Sequence, residues 1–153
     1  MKTIASFLVN HDTLRLGLYT SRVDGDIVTY DLRMALPNSG EYLENDEMHT
    51  FEHLFATYAR NSVYAGNVIY VGPMGCCTGF YLLLRDNASP QQAIELVQQS
   101  LAFIAGYEGE IPGSKPVECG NAALHSLPKA KRLAKRMVPV LENWAVKQLA
   151  YPQ

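Results

Sequence analysis

Positive charge, cysteine and long apolar segments are all scarce in this sequence of 153 residues. The formal net charge is -2 at pH 7, whereas bulk nucleic-acid binding requires a strongly basic surface. The longest strongly apolar run, residues 80–84, is far shorter than the roughly 20 residues of a membrane-spanning helix. The sequence therefore predicts no nucleic-acid partner and no membrane partner, and we expect a cytoplasmic protein.

Only three cysteines are present, and an odd number is a poor framework for disulfides. Cys76 and Cys77 are adjacent, so a disulfide between them would close a strained ring. Cys119 stands alone between Glu118 and Gly120. In a reducing compartment this pattern is typical of structural, metal-binding or catalytic thiols.

Apolar residues make up 48% of the chain and charged residues 18%, which predicts a folded protein with a single domain over residues 1–153. Strand patterns occupy residues 14–19, 26–34, 68–71 and 80–84, and helical patterns follow Asn45, Ser89 and Pro128. Pro139 lies inside the last helical pattern, where we expect it to kink or split the helix. This order of elements predicts an α+β fold in which helices pack on a single-layer, largely antiparallel sheet.

The string His49-Thr50-Phe51-Glu52-His53 is the sharpest local motif and falls on the first predicted helix. Histidines four residues apart lie about 40° apart around a helix and one turn above each other, so both can reach one metal ion. Glu52 lies about 60° to the other side of His49, where a carboxylate can move protons beside a Lewis acid. A catalytic site needs a third protein ligand and an open position. Spacing alone leaves that ligand open among Cys119, Cys76, Cys77, His11 and His125.

A second motif, Pro73-Met74-Gly75-Cys76-Cys77-Thr78-Gly79-Phe80, lies between two strand patterns. Its glycines allow the backbone to approach a ligand closely. A cysteine held there can act as a nucleophile or as an acid and base when a nearby metal or cation favours its thiolate. The structural alternative is that Cys76 is a small apolar residue at the end of a strand.

These motifs together resemble the S-ribosylhomocysteine lyase (LuxS) family over nearly the whole chain. Five segments match the family pattern in the right order: Ser6-Phe7 with His11, Asp31-Leu32-Arg33 with Pro37-Asn38, His49-Thr50-Phe51-Glu52-His53-Leu54, Pro73-Met74-Gly75-Cys76 with Thr78-Gly79-Phe80-Tyr81, and Cys119-Gly120 with Ala122, Leu124, His125 and Leu127. The chain departs from the pattern at Tyr70, where the family commonly has an acidic residue, and at Gly72, which replaces a common serine.

The resemblance implies cleavage of S-ribosylhomocysteine to homocysteine and 4,5-dihydroxy-2,3-pentanedione, the precursor of a quorum-sensing autoinducer. In the family this proceeds by two aldose-ketose isomerisations and a β-elimination. The resemblance implies one Fe2+ per chain, replaceable by Zn2+ or Co2+, in a homodimer whose active sites are shared between subunits. It assigns the roles as follows: metal ligands His49, His53 and Cys119, acid/base residues Glu52 and Cys76, and substrate contacts Ser6, His11 and Arg33.

Two other functions compete with this interpretation. The H-x-x-E-H string is also the inverted zincin signature, which predicts a small metal-dependent hydrolase or peptidase in which Glu52 activates water. Such enzymes generally use a downstream glutamate as third ligand, and they would leave Cys119 and the Pro73–Phe80 motif without a role. The other alternative is a non-catalytic metal-binding module, in which the acid/base pair of Glu52 and Cys76 would be unused.

Overall fold

The computed structural model describes residues 1–153 and contains one four-stranded antiparallel sheet and three main helices. The strands lie in the order β1-β2-β4-β3 and comprise β1 (Gly17–Asp24), β2 (Ile27–Arg33), β3 (Val68–Pro73) and β4 (Gly79–Arg85). The helices are α1 (Asn45–Asn61), α2 (Pro90–Gly106) and α3 (Leu127–Leu141). The prediction of an α+β fold with a single-layer antiparallel sheet is confirmed.

The first strand differs from its predicted position at residues 14–19. It begins at Gly17 and continues to Asp24, which pairs with Ile27 of β2. The second half of β1 is polar and exposed, so it lacks the apolar alternation from which a strand is predicted. The Asp24-Gly25 turn closes the β1–β2 hairpin as the sequence predicts.

Helix α1 begins one residue earlier than predicted, whereas α2 begins as predicted. The N-cap of α1 is Glu44 rather than Asn45, and the Glu44 backbone N–H donates to the Glu47 carboxylate at 3.1 Å. Helix α2 begins after Ser89, whose hydroxyl accepts from the backbone N–H of Gln92 at 3.2 Å, as expected for a capping residue.

Helix α3 continues through Pro139 and ends at Leu141, so the proline lies in its last turn and does not split it. There the missing N–H of proline removes one hydrogen bond near the end of the helix, where a break costs little. The side chain of Gln98 donates to the Leu141 carbonyl at 2.6 Å and satisfies this helix end. Trp144, predicted on the apolar side of the last helix, lies beyond it.

The apolar core lies between one face of the sheet and the three helices. Tyr30 and Leu32 of β2 alternate with polar residues, as a half-buried strand requires, and both are buried. Phe51 of α1 packs on Phe80 of β4, with ring centroids 4.7 Å apart. Burial of each such side chain is worth about 1.5–3 kcal/mol, so this face anchors α1 on the sheet. None of the helices combines the length and the apolar character that crossing a bilayer requires.

The opposite face of the sheet is polar and carries charged residues that are nevertheless buried. Asp31 of β2 lies in register between Tyr19 of β1 and Tyr81 of β4. Arg33 pairs with Gly79, where a Cβ atom would stand only 2.2 Å from the Leu32 carbonyl oxygen. The absence of a side chain at Gly79 therefore allows β4 to lie against β2 directly beside Arg33.

Candidate active site

Helix α1 carries two histidines that are held in the same way, each by a hydrogen bond from its Nδ1 atom. His49 Nδ1 donates to the Leu124 carbonyl at 2.7 Å, and His53 Nδ1 donates to the Pro112 carbonyl at 2.8 Å. A carbonyl oxygen only accepts, so Nδ1 carries the proton in both rings and the Nε2 lone pairs remain free. Backbone carbonyls of this kind fix the tautomer and the orientation of metal-binding histidines.

The segment between α2 and α3 folds back over α1 and adds a thiol to this pair. The Cys119 Sγ lies 3.4 Å from His49 Nε2, and the Cys119 backbone N–H donates to the Lys115 carbonyl at 2.9 Å. Gly113 has a φ of 68° and faces the His53 ring, so the chain turns tightly beside that histidine.

His125 is the fourth member of this cluster, which we call the metal group: His49, His53, Cys119 and His125. One potential ligand atom from each residue lies within 4.8 Å of the others. Two imidazole nitrogens and a thiolate suit a divalent transition metal such as zinc or iron, so these residues fit a metal ion. The His125 ring stacks on His49 with centroids 4.0 Å apart. Burial lowers the pKa of His125, and the neighbouring His49 and His53 lower it further.

Glu52 lies on α1 between the two histidines of the metal group. Its side chain is half-buried and takes part in none of the side-chain hydrogen bonds or ion pairs of the chain. A carboxylate without an internal partner is available for proton transfer, and the acid/base role of Glu52 stays a prediction.

A second cluster, here called the thiol group, consists of Cys76, Thr78, Arg33 and Asp31. The Cys76 Sγ lies 3.0 Å from the Thr78 hydroxyl oxygen and 3.9 Å from Arg33 Nη1. Arg33 donates from Nε and Nη2 to the two Asp31 carboxylate oxygens, at 3.1 and 2.5 Å, and is 3% exposed. Burial acts to lower the pKa of Arg33, but its hydrogen bonds to Asp31, the charge of Asp31 and smaller contributions from Cys76 and Tyr151 together raise it. Arg33 therefore places a fixed positive charge 3.9 Å from the Cys76 sulfur.

The predicted substrate contacts Ser6 and His11 lie next to the thiol group. Ser6, His11 and Arg33 line one small polar cavity, and His11 lines a larger one of about 180 Å³ together with Cys76 and Thr78. His11 Nδ1 donates to the Val9 carbonyl at 2.8 Å, which leaves its Nε2 as the acceptor. Neither cavity is lined by a residue of the metal group.

Three residues that support the two clusters, of which only Asp31 is a member, are absent from the predicted site. Thr50 is fully buried inside the histidine motif and contacts His125, with 3.0 Å between its Oγ1 and the ring Nδ1. Asp31 holds Arg33, and the Tyr151 hydroxyl donates to Asp31 at 2.8 Å. Burial and the negative charge of Asp31 raise the pKa of Tyr151, so this hydroxyl keeps its proton. The strand alternation could have indicated Asp31, because it stands opposite the apolar face of β2.

Comparisons with known proteins point to a single family. The family model described as S-ribosylhomocysteinase (LuxS) matches residues 4–148. The chain is 45% identical to an S-ribosylhomocysteine lyase of Phocaeicola vulgatus, in an alignment that covers 99% of this chain and 98% of that relative. It is 43% identical to the S-ribosylhomocysteine lyase of Clostridium acetobutylicum, with both chains covered completely. A relative of the same name from Porphyromonas gingivalis is also 43% identical, with 99% of each chain covered.

Proposed function

The chain belongs to the S-ribosylhomocysteine lyase (LuxS) family, and from this membership we propose how its two side-chain clusters divide the work of the reaction. The activity is that of a carbon–sulfur lyase, which cleaves S-ribosylhomocysteine. The predicted enzyme class is confirmed, in preference to the hydrolase and to the non-catalytic module. We further infer that the products are homocysteine and the autoinducer precursor 4,5-dihydroxy-2,3-pentanedione, and that the enzyme works in the cytoplasm.

His49, His53 and Cys119 would hold one metal ion, which we infer to be Fe2+, with Zn2+ or Co2+ as substitutes. The supporting observations are that a carbonyl fixes Nδ1 in both imidazoles and that His49 Nε2 lies 3.4 Å from the Cys119 sulfur. The potential ligand atoms of all three residues lie within 4.8 Å of one another. Bound there, the ion supplies Lewis-acid stabilisation of negative charge on the sugar oxygens. Three protein ligands leave a position open, as a catalytic site requires.

Cys76 and Glu52 would be the two acid/base residues. Moving a carbonyl along the sugar requires a proton to leave one carbon and to return at its neighbour. We propose that Cys76, whose sulfur contacts Arg33 and Thr78, removes that proton and gives it back. In the elimination, a base removes the proton next to the carbonyl, and the remaining electron pair forms a double bond while the C–S bond breaks. Homocysteine then leaves as its thiolate. Glu52 would be the base in this step, because its carboxylate has no internal partner.

We infer a homodimer in which each active site combines the metal group of one protomer with the thiol group of its partner. Within one chain, the two cavities beside Cys76 and Arg33 contain no residue of the metal group. Large apolar side chains are exposed around these cavities and mark a face that a second chain can cover: Ile4, Phe7, Leu8, Leu36 and Tyr42. Ser6 and His11, which line the same cavities, would then contact a substrate held by the partner's metal group.

Complementation between inactive chains tests the shared site. In a mixed dimer of Cys76→Ala and Cys119→Ala chains, one site combines both defects and the other is intact. Random subunit exchange should therefore restore about a quarter of the parent homocysteine release, because about half of the dimers are mixed and one of the two sites in each is intact. The matched control mixes Cys76→Ala with His11→Ala. Both residues belong to the same side of the site, so no activity should return. Inactivity of verified Cys76→Ala/Cys119→Ala dimers would show that the site is not shared.

Substitution of the two acid/base residues tests their roles. Glu52→Gln and Cys76→Ser should keep the metal, because neither residue belongs to the metal group, and should lower homocysteine release by about 10²–10⁴-fold each. Cys77→Ser is the matched control and should stay within about tenfold of the parent, since the one hydrogen bond of the Cys77 thiol is to the Gly75 carbonyl. Metal analysis after anaerobic purification identifies the ion. An active Cys76→Ser protein would remove Cys76 from the mechanism.

A further inference from the structure

The three imidazoles of the metal group differ in what contacts their Nδ1 atoms. In His49 and His53 the contact is a backbone carbonyl, which can only accept a hydrogen bond. In His125 it is the hydroxyl oxygen of Thr50, at 3.0 Å, which can accept or donate. The tautomer of His125 therefore depends on the direction of this one hydrogen bond.

The surroundings of Thr50 determine that direction. Its Oγ1 already accepts the backbone N–H of Ser126 at 2.8 Å. The side chain is fully buried, and its only other hydrogen-bond partner is His125. A buried hydroxyl proton without an acceptor is costly, so the Thr50 proton goes to His125 Nδ1. The neutral ring then carries its own proton on Nε2.

That Nε2 atom lies 3.8 Å from the Cys119 Sγ, within the range of an N–H···S hydrogen bond. We propose that His125 is not a metal ligand but a positioning residue, which donates its Nε2 proton to the Cys119 thiolate and is held in this tautomer by Thr50. The inference rests on the proposed metal site. A fourth protein ligand would close the coordination sphere, as in structural zinc sites, so the proton on His125 keeps a position open for the substrate.

Histidine NMR on the whole protein tests the tautomer directly. The chain has only four histidines, so ¹⁵N-labelled rings can be assigned by single substitutions. In the metal-free protein we expect the proton on Nδ1 in His49 and His53, and on Nε2 in His125. After Zn2+ loading, the His125 Nε2 proton should persist. A proton on His125 Nδ1, or loss of the Nε2 proton on loading, would overturn the proposal.

Two substitutions at Thr50 separate its hydroxyl from its shape. Thr50→Ser keeps the hydroxyl and should retain the His125 tautomer of the parent. Thr50→Val keeps the size but removes the donor, so His125 should exchange between tautomers and lose its Nε2 proton on Zn2+ loading. Identical His125 signals in the two variants would contradict the role of Thr50.

His125→Phe preserves the flat ring that stacks on His49 but removes the N–H donor. We expect the Zn2+ affinity to fall about 10–100-fold, as for other residues that support metal ligands. The sulfur-to-metal charge-transfer band of the Co2+-loaded protein should move to lower energy. An unchanged affinity and band would count against the hydrogen bond.

Cys119→Ala separates the failure of the proposed metal site from the failure of the proposal for His125. Undiminished Zn2+ binding by Cys119→Ala would refute the metal site. The tautomer of His125 is measured independently, in the metal-free protein.

Discussion

The Asp31–Arg33 ion pair is the buried charge pair that supports the thiol group, and Asp31→Asn is the sharpest test of its role. Asp31 is 1% exposed and Arg33 3%. The carboxylate accepts two hydrogen bonds from Arg33 and one from the Tyr151 hydroxyl. Asparagine has nearly the same size, so the substitution removes the negative charge with little change in packing.

Removing one partner of a buried ion pair typically costs about 3–5 kcal/mol, because the other charge remains buried without compensation. Domains of this kind are stable by only about 5–15 kcal/mol. We therefore expect Asp31→Asn to lose about 3–5 kcal/mol of its free energy of unfolding, a large fraction of the total. The double variant Asp31→Asn/Arg33→Met should lose less than the single variant, since the uncompensated charge is removed with its partner.

Urea denaturation at neutral pH measures these free energies, with linear extrapolation to water. Tyr151→Phe is the matched control: it removes one hydrogen bond to Asp31 but keeps the ring that stacks on Tyr19 with centroids 5.1 Å apart. Tyr151→Phe should lose at most about 3 kcal/mol of its free energy of unfolding, since a hydrogen bond to a charged group usually contributes about 1.5–3 kcal/mol. A loss below about 1 kcal/mol in Asp31→Asn, or a larger loss in the double variant, would refute the reasoning.

Two further predictions concern the surface of the sheet and the start of α1. A Cβ atom at Gly72 would lie 2.4 Å from the Tyr70 ring. The substitution Gly72→Ala should therefore lower the free energy of unfolding more in the parent than in a protein that already carries Tyr70→Ala. In a double-mutant cycle we expect a coupling energy of at least about 0.5 kcal/mol. Lys129 donates a hydrogen bond to Asp46 and lowers the pKa of this carboxyl from 3.8. The interaction therefore stabilises the fold above pH 3.8, and this stabilisation is lost as the pH falls through the lowered pKa. The difference in urea midpoint between the parent and Lys129→Met should therefore shrink below pH 3.8, and a constant difference would contradict this assignment.

The histidine pair could be predicted from the sequence because helix geometry fixes the relation of residues four apart. His49 and His53 therefore lie together in the structure whatever the rest of the chain does. The thiol could not be predicted in the same way. Cys119 reaches the pair only because the long segment after α2 places the Pro112 carbonyl and Gly113 against His53. Spacing carries no information on such a path, and only the family resemblance singled out Cys119.

The residues that cover the thiol group could not be predicted from the sequence either. Strand alternation places Asp31 and Arg33 together on the face opposite Tyr30, but it does not show what covers that face. The cover includes Tyr151, which is 120 positions from Asp31 along the chain. Contacts at this separation depend on the complete fold, because both partners must first be positioned by the sheet and by the segment that follows α3.

In the metal site proposed above, the two clusters would keep two potential fourth ligands away from the ion by different means. A free thiolate beside a divalent ion would complete a closed tetrahedral site, and so would a third imidazole with a free lone pair. Cys76 belongs to a separate cluster, where its sulfur contacts Arg33, and its proposed role there is proton transfer rather than metal binding. His125 lies within the metal group, but the proton that Thr50 fixes on Nε2 directs it to the Cys119 thiolate. The coordination sphere stays open because each competing donor already has another partner.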